Sequence, residues 1–169
     1  PSDYPHMSGL LDYLESKDAA VSFTSLRLPS IDVRMLDLLR RGAQQTLTLA
    51  PETGSERLRR VLKKYMTNDE ICTVATQARE RGFKKLKLYM MIGLPGELRD
   101  DIRESVRLIK ELARIVPVRA AVSPFVPKPH TPLAGASMAP KKELRETMAY
   151  IRRECRHESH IAITVDSIS

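Results

Sequence analysis

The sequence predicts an α/β fold built around a parallel sheet. Short hydrophobic runs with strand propensity alternate four times with segments of helical periodicity. The segments that link these runs have ten or more residues, the length that successive parallel strands require. Four strands are too few for a closed eight-stranded barrel, which takes about 250 residues. The sheet is therefore either an open doubly wound sheet or part of a barrel.

The first part of the chain contains two helices and one strand. An amphipathic helix ends near residue 17, and a strand over 20–26 follows because this run is rich in β-branched and aromatic side chains. Ser30 can cap the next helix, 31–41, which ends at Gly42.

The middle of the chain starts with a strand over 46–50. A helix over 55–63 comes next. Thr67 and Glu70 have the spacing of a capping box, which predicts a further helix that ends before Gly82.

The last part of the chain continues the alternation of strand and helix. The sequence Gly-Leu-Pro-Gly predicts a tight turn after the third strand. The predicted elements are a strand over 85–92, a helix over 97–115, a strand over 118–123, a proline-rich irregular loop over 124–140, a helix over 141–156 and a short strand over 161–165.

Two of the strands have one apolar and one polar face, which favours the barrel. In strand 85–92 every second side chain is large and apolar, while the side chains between them include Lys87 and Tyr89. In strand 46–50 leucines oppose threonines, and Glu52 shares the threonine face if the strand direction continues. Such a sheet has helices outside and a ligand inside.

The charge and cysteine content restrict the class of protein. The formal net charge is +7 and the sequence pI is about 9.6, which suits a phosphate-bearing partner such as RNA, although solvated helix faces are the ordinary explanation. Cys72 and Cys155 lack the spacing of a metal site, so no metal ligand is expected in this chain and a reducing, cytoplasmic setting fits. No apolar run approaches the roughly 20 residues of a membrane span, so no membrane partner is expected.

Polar residues and glycines follow the predicted strand ends, where parallel sheets bind ligands. Glu52 can accept hydrogen bonds from the hydroxyls of a ribose, or it can cap the helix at Ser55, and spacing leaves both open. Gly93 and Gly96, on either side of Pro95, allow the backbone to approach a ligand, although tight turns use glycine in any case.

Three further polar residues are candidates for the substrate side. Lys87, on the polar strand face, needs a carboxylate, a phosphate or water if the interior is enclosed. Arg27, at the end of the first predicted strand, has the same requirement, although either side chain can instead extend outward to solvent. His130 has no second ligand at metal spacing, so a solvent-facing or loop-packing role is expected.

Three segments, in this order, closely resemble motifs of the radical S-adenosylmethionine (SAM) superfamily. They are LTLAPETGSERL at 47–58, KLYMMIGLPGE at 87–97 and SPFVPKPHTP at 123–132. Within that superfamily the chain looks like the branch that includes methylthiotransferases and cobalamin-binding-domain proteins.

The resemblance implies a partial TIM-like (β/α)6 barrel, of which this chain supplies strands three to six and a trailing helix as a single domain over 1–169. In that family, three cysteines spaced C-x3-C-x2-C follow the first strand and bind a [4Fe-4S] cluster, at which SAM is reductively cleaved to a 5'-deoxyadenosyl radical. Neither these cysteines nor the glycine-rich motif of the second strand occur here. The N-terminal, cluster-binding part is therefore expected to be missing, and the isolated chain is expected to be inactive. Cobalamin is a further cofactor that this branch implies for the parent protein.

The resemblance also assigns individual residues to SAM and to the substrate. Glu52 matches the ribose-contacting position and Lys64 a basic position near the SAM carboxylate, while Tyr89 stands where some members place an acid as a second ribose contact. The cofactor side also includes Ser55, the serine of the first motif. Gly93, Leu94 and Pro95 match the turn near the adenine. The substrate side is expected to include Arg27, Lys87, Ser123, Lys128 and His130.

Three functional readings remain. The first is a fragment of a radical SAM enzyme that modifies RNA or protein by methylthiolation, methylation or a related reaction. The second is a non-catalytic scaffold or RNA-binding module, and the third is a doubly wound nucleotide-binding domain, which the absence of a G-x-G-x-x-G or phosphate-loop sequence disfavours. An exposed sheet edge is expected to be covered by the rest of the protein or by self-association.

Overall fold

The computed structural model describes residues 6–22, 31 and 33–165. Within these residues the strands form one sheet in the order β1-β2-β3-β4, and each neighbouring pair is parallel. The strands are β1 (Thr46–Glu52), β2 (Lys85–Ile92), β3 (Val118–Pro124) and β4 (Ile161–Val165). The helices are α1 (Met7–Ser16), α2 (Val33–Arg41), α3 (Glu56–Val61), α4 (Asn68–Glu80), α5 (Arg99–Ile115) and α6 (Lys141–Cys155).

The strand order confirms the α/β prediction and favours the barrel over the doubly wound sheet. A doubly wound sheet reverses its strand order at a switch point, whereas here the order along the sheet follows the order along the chain. A helix connects each strand to the next, as in a (β/α) barrel. The chain therefore has the arrangement expected of part of a TIM-like barrel.

One face of the sheet forms the main hydrophobic core. The alternating burial of β2 places its leucines, Met90 and Ile92 in this core, together with side chains of α2, α4, α5 and α6. On the opposite face of β2, Lys87 is half-buried and Tyr89 is 39% exposed. The predicted apolar and polar faces of this strand are confirmed.

A bulge interrupts β1 near its end. Leu49 pairs with Leu88, but the next pair is Glu52 with Met90, so β1 contains one more residue than β2 over this stretch. Pro51 lies in this irregular stretch, where a strand tolerates proline. The expectation that Glu52 simply continues the alternation of the threonines is therefore wrong.

Several boundaries differ from the sequence prediction. Most of the strand predicted over 20–26 lies outside the described residues, and residues 20–22 form no strand. Within the described residues, the fourth strand of the sheet is β4, the short strand predicted at 161–165. Helix α5 starts at Arg99 rather than at 97, and α3 ends at Val61 rather than at 63.

The part of the chain that the structure describes contains no helix long and apolar enough to cross a membrane.

Candidate functional site

Glu52 ends β1 with an unusual backbone. Its φ is 68°, in the left-handed region that residues other than glycine rarely adopt. Its side chain is 19% exposed and forms a salt bridge with Lys64. Because Ser55 is the N-cap of α3, Glu52 does not cap that helix. The carboxylate is thus presented at the carboxyl end of a parallel strand, where such sheets bind ligands.

Lys64 reaches Glu52 from the loop that follows α3. Its Nζ donates to the carboxylate of Glu52 and, at 2.9 Å, to the carbonyl oxygen of Ala50. The structure therefore brings together the two residues that the resemblance assigns to the ribose and to the carboxylate of SAM. A carboxylate and an ammonium at one strand end can together bind a zwitterionic ligand that carries hydroxyl groups.

Ser55 is enclosed in the protein. The residue is 1% exposed, its hydroxyl donates to Asp101 Oδ1 at 2.5 Å, and it accepts a long hydrogen bond from the Leu58 amide at 3.4 Å. These contacts tie the start of α3 to the start of α5. Its position favours a structural role, and a contact with the cofactor stays a prediction.

Asp101 is the acceptor that joins these two helices. Burial alone would raise the pKa of Asp101, but hydrogen bonds from Ser55, Arg57 and the Leu98 amide hold it below its ordinary value. The carboxylate is 4% exposed and forms a salt bridge with Arg57. It stabilises the turns that carry the candidate site.

The turn after β2 has the geometry that its glycines predict. Gly93 and Gly96 both have a φ of 73°. The Gly93 amide donates to Glu97 Oε2 at 2.7 Å. The other oxygen of Glu97 is buried, with no hydrogen-bond partner among the described residues. Burial raises the pKa of Glu97 to about 7.

A small apolar cluster, separate from the main core, covers this end of the sheet. Leu94 from the turn, Leu58 from α3 and Phe125 from the segment after β3 are buried against one another. Met91, on the polar-face side of β2, packs against them. Leu94 is therefore enclosed by apolar side chains, and its contact with the adenine stays a prediction.

The candidate substrate-side residues of the sheet lie on its polar face. Lys87 Nζ donates to the Tyr89 hydroxyl at 2.8 Å and lies 4.6 Å from the centre of its ring. The half-buried Ser123 of β3 pairs in register with Met91. Among the described residues Lys87 thus contacts the hydroxyl and ring of Tyr89, and the carboxylate, phosphate or water expected in an enclosed interior stays a prediction.

The remaining substrate-side candidates are on exposed loops or outside the described residues. Lys128 and His130 are exposed in the proline-rich loop, and His130 has a φ of 60°. Arg27 lies outside the described residues. Pro95, a candidate for the cofactor rather than for the substrate, is half-buried in the turn after β2. Among the described residues, the structure brings none of Lys128, His130 and Pro95 to the Glu52–Lys64 pair by a hydrogen bond or salt bridge.

The cysteines do not form an iron–sulfur site. Cys72 is half-buried in α4 and Cys155 is buried in α6. Burial raises the pKa of Cys72 to about 11 and also raises the pKa of Cys155, so both favour the thiol form at neutral pH, whereas a metal ligand is a thiolate. The cysteines of this chain therefore do not fit a [4Fe-4S] cluster.

Two buried charged residues, Arg59 and Asp101, were missed by the sequence analysis. The half-buried Glu97, one of whose carboxylate oxygens is enclosed, was also missed. Arg59 is 0% exposed, although its place among the charged residues of α3 suggested a solvated face. For Glu97 a signal existed, since the tight turn before it leaves amides that need an acceptor.

Comparisons with known proteins identify a family and a shared fold. The model of the radical SAM superfamily matches residues 1–109. A protein of Methanocaldococcus jannaschii described as Uncharacterized protein MJ0966 is 38% identical over 130 residues, which cover 76% of this chain and 29% of that protein. The chain thus spans less than a third of the curated relative that it matches.

Solved structures share the fold at low sequence identity. Coproporphyrinogen III oxidase (HemN) from Escherichia coli, described as a radical SAM enzyme, has a TM-score of 0.63 and 21% identity over 88% of this chain and 36% of its own. SuiB of Streptococcus suis, also solved bound to S-adenosylmethionine, has a TM-score of 0.63 and 15% identity over 99% of this chain and 37% of its own. The family model matches residues 1–109 of the 169 residues of this chain, and the chain therefore belongs to the radical SAM superfamily.

Proposed function

We propose that this chain is the part of a radical SAM enzyme that holds the ribose and the carboxylate of SAM. The observation that carries the proposal is the Glu52–Lys64 pair at the carboxyl end of β1, with Glu52 in the left-handed region. Strained backbone conformations cluster at active and binding sites, where the surrounding structure holds them in place. Membership of the superfamily and the likeness to a SAM-bound SuiB support the choice of SAM.

In this proposal, different residues of the chain bind different parts of SAM. Glu52 accepts hydrogen bonds from the ribose hydroxyls, and Lys64 moves from the Glu52 carboxylate to the carboxylate of SAM. Tyr89 is a second candidate for the ribose. The backbone and apolar side chains of the turn, Gly93, Leu94 and Pro95, lie against the adenine.

The cluster is assigned to another part of the same protein. SAM bound at a reduced [4Fe-4S] cluster supplies a 5'-deoxyadenosyl radical, and this chain has no cysteines that fit such a cluster. We therefore propose that the chain is the C-terminal part of the core, that an N-terminal part holds the cluster, and that the isolated chain is inactive. The 29% coverage of the archaeal relative supports a longer parent.

The substrate belongs to the same proposal. We infer modification of RNA or protein by a transferase or oxidoreductase type of radical chemistry, with cobalamin as a further cofactor of the parent. Lys87, Ser123, Lys128 and His130 are assigned to the substrate side, with Arg27. Free cysteines fit a reducing, cytoplasmic setting.

The experiment that tests the proposal uses the longer parent protein. It is reconstituted anaerobically with iron and sulfide, reduced with SAM present, and assayed for 5'-deoxyadenosine. We expect cleavage in the wild type and a loss of about tenfold or more in SAM affinity for Glu52→Gln, because the neutral amide is a weaker acceptor for ribose hydroxyls. Glu80→Gln, an exposed residue at the end of α4, is the matched control.

Two results would contradict the proposal. A folded parent that holds a cluster but does not bind SAM would show that the proposed SAM site does not exist. Equal SAM affinity of the wild type and Glu52→Gln would show that Glu52 is not part of the site.

The second candidate is an RNA-binding scaffold without catalysis, which the net charge of +7 favours. It predicts RNA binding whose affinity falls steeply with salt, because phosphate contacts release counterions. Binding of that kind by a parent that neither holds a cluster nor cleaves SAM would favour the scaffold.

A further inference from the structure

Arg59 is a fully buried cation in the middle of the short helix α3. All three of its guanidinium nitrogens donate hydrogen bonds at normal or short distances. Nε donates to the Met66 carbonyl at 3.0 Å, one terminal nitrogen to the Thr53 carbonyl at 2.6 Å, and the other to Asn68 Oδ1 at 2.6 Å. The planar fork of an arginine thus bridges segments that a lysine could not reach together.

The two carbonyls flank the candidate site. Thr53 directly follows Glu52, and Met66 lies two residues after Lys64. The main chain adds a third link, since the Lys64 amide donates to the Arg59 carbonyl at 2.8 Å. Arg59 therefore contacts both the turn after Glu52 and the loop that carries Lys64.

The Glu52 backbone needs such support. Its φ of 68° is unfavourable for a residue with a Cβ, so neighbouring contacts must hold it. The Thr53 carbonyl is held by Arg59, and the Gly54 carbonyl accepts from Asn68 Nδ2 at 3.1 Å. Asn68 in turn is bound by Arg59, so the guanidinium acts on this turn directly and through Asn68.

Stability alone is a weak reason for a buried arginine here. Burial lowers the pKa of Arg59, and the nearest carboxylate, Glu56, lies 3.8 Å from it and accepts the Asn68 amide at 2.8 Å. Burying such a salt bridge costs desolvation that its attraction does not always repay, so the pair is weak evidence of a stabilising role. A role in positioning the backbone on either side of the candidate site explains the arginine better.

We propose that Arg59 is a positioning residue that fixes the spacing of Glu52 and Lys64 for SAM. The proposal rests on the proposed function of that pair. Arg59 itself is fully buried and does not touch the ligand. Its effect on SAM affinity must therefore act through the two residues whose backbone it holds.

The test is a double-mutant cycle on SAM affinity in the reconstituted parent, measured by equilibrium dialysis. We expect Arg59→Met to weaken SAM binding about tenfold or more in the wild-type background, and by less than about twofold in a background that carries both Glu52→Gln and Lys64→Met. Arg60→Met, the exposed neighbour on the same helix, is the matched control and should leave affinity unchanged. Thermal melts of each variant report its folding separately.

The outcomes separate this proposal from the one beneath it. A folded Arg59→Met protein with unchanged SAM affinity, or with the same loss in both backgrounds, overturns the role of Arg59 alone. A wild-type parent that does not bind SAM overturns the SAM site and with it the role of Arg59. If Arg59→Met does not fold, Arg59→Lys, which keeps the charge but cannot bridge both carbonyls, carries the same cycle and the same criteria.

Discussion

At the scale of single residues, the candidate site places strain and charge in one position. Glu52 has a left-handed backbone at the end of β1 and a salt bridge with Lys64. Both side chains are partly exposed, Glu52 at 19% and Lys64 at 32%, so either can be replaced without opening a cavity in the main core. The site is therefore open to substitutions that separate stability from binding.

The strain at Glu52 predicts a difference between two variants that both lack the carboxylate. Glycine adopts a φ of 68° without steric penalty, whereas alanine does not, so Glu52→Gly should be more stable than Glu52→Ala by about 1 kcal/mol. The measurement is the free energy of unfolding from urea titrations. Equal stability of the two variants would show that the backbone at this position is not strained.

Glu97 predicts a dependence of stability on pH. Burial, and to a lesser degree the charge of Asp101, raise the pKa of Glu97 from 4.5 to about 7, against the effect of the Gly93 and Leu94 amides. The folded protein therefore binds this proton more tightly than the unfolded chain does, and the stabilisation is lost as pH rises between these two values. In the wild type, the free energy of unfolding should fall by up to about 3 kcal/mol between about pH 5 and about pH 8. We expect Glu97→Gln to abolish this fall, because glutamine does not titrate.

The control for this prediction is Glu146→Gln. Glu146 is exposed and lines the same cleft of about 690 Å³ between α5 and α6, but it does not accept the Gly93 amide. In urea titrations across the pH range, the free energy of unfolding of the control should depend on pH as that of the wild type does. If the free energy of unfolding of Glu97→Gln also depended on pH as in the wild type, Glu97 would titrate at its ordinary pKa.

At the scale of elements, the β1–α3 turn is packed directly against α5. A Cβ on Gly54 would lie 2.4 Å from Ser105 Cα and 2.5 Å from the Glu104 carbonyl oxygen. The Gly54 amide donates to Ser105 Oγ at 2.8 Å. Because backbone rather than a flexible side chain occupies this space, the turn and the helix have to move together.

This contact predicts a large effect of a single methyl group. Gly54→Ala should lose at least about 2 kcal/mol of stability, since overpacking against backbone cannot relax locally. Gly135→Ala, where a Cβ would meet nothing within 4 Å, should be close to neutral. Thermal unfolding of the two variants checks the prediction, and similar melting temperatures would contradict it.

The regular elements could be predicted from sequence because their signals are local. Periodicity located strands β2 and β3 to within one residue, and the capping box at Thr67 was found as predicted. The bulge in β1 could not be placed, since it depends on pairing with β2, although Pro51 was a hint. The burial of Arg59 was also out of reach, because a charged residue on a helix has the same pattern whether its partners are water or distant carbonyls.

At the scale of the whole molecule, the sheet has two outer strands. Among the described residues, β1 pairs only with β2 and β4 only with β3. Unpaired strand edges are sites for further pairing, either with the rest of a barrel or with other copies. The described part of the chain thus has the edges of an incomplete barrel.

These edges predict different association of the isolated chain and the longer parent. The isolated chain should self-associate as its concentration rises, whereas the parent should stay monomeric at the same concentrations because its own strands cover the edges. Sedimentation velocity over a concentration series measures both. An isolated chain that stays monomeric throughout would contradict the role given to the edges.

The site around Glu52 is also short in sequence, and this bears on how the protein folds. Glu52 and Lys64 are 12 residues apart, and Arg59 reaches partners 6, 7 and 9 residues away. Loops of this length close in about 10–100 ns, far faster than strands separated by a helix can pair. On a ribosome, we expect this segment to begin to order before β2 has been synthesised, so that the carboxyl end of β1 acts as a template on which the later strands are added.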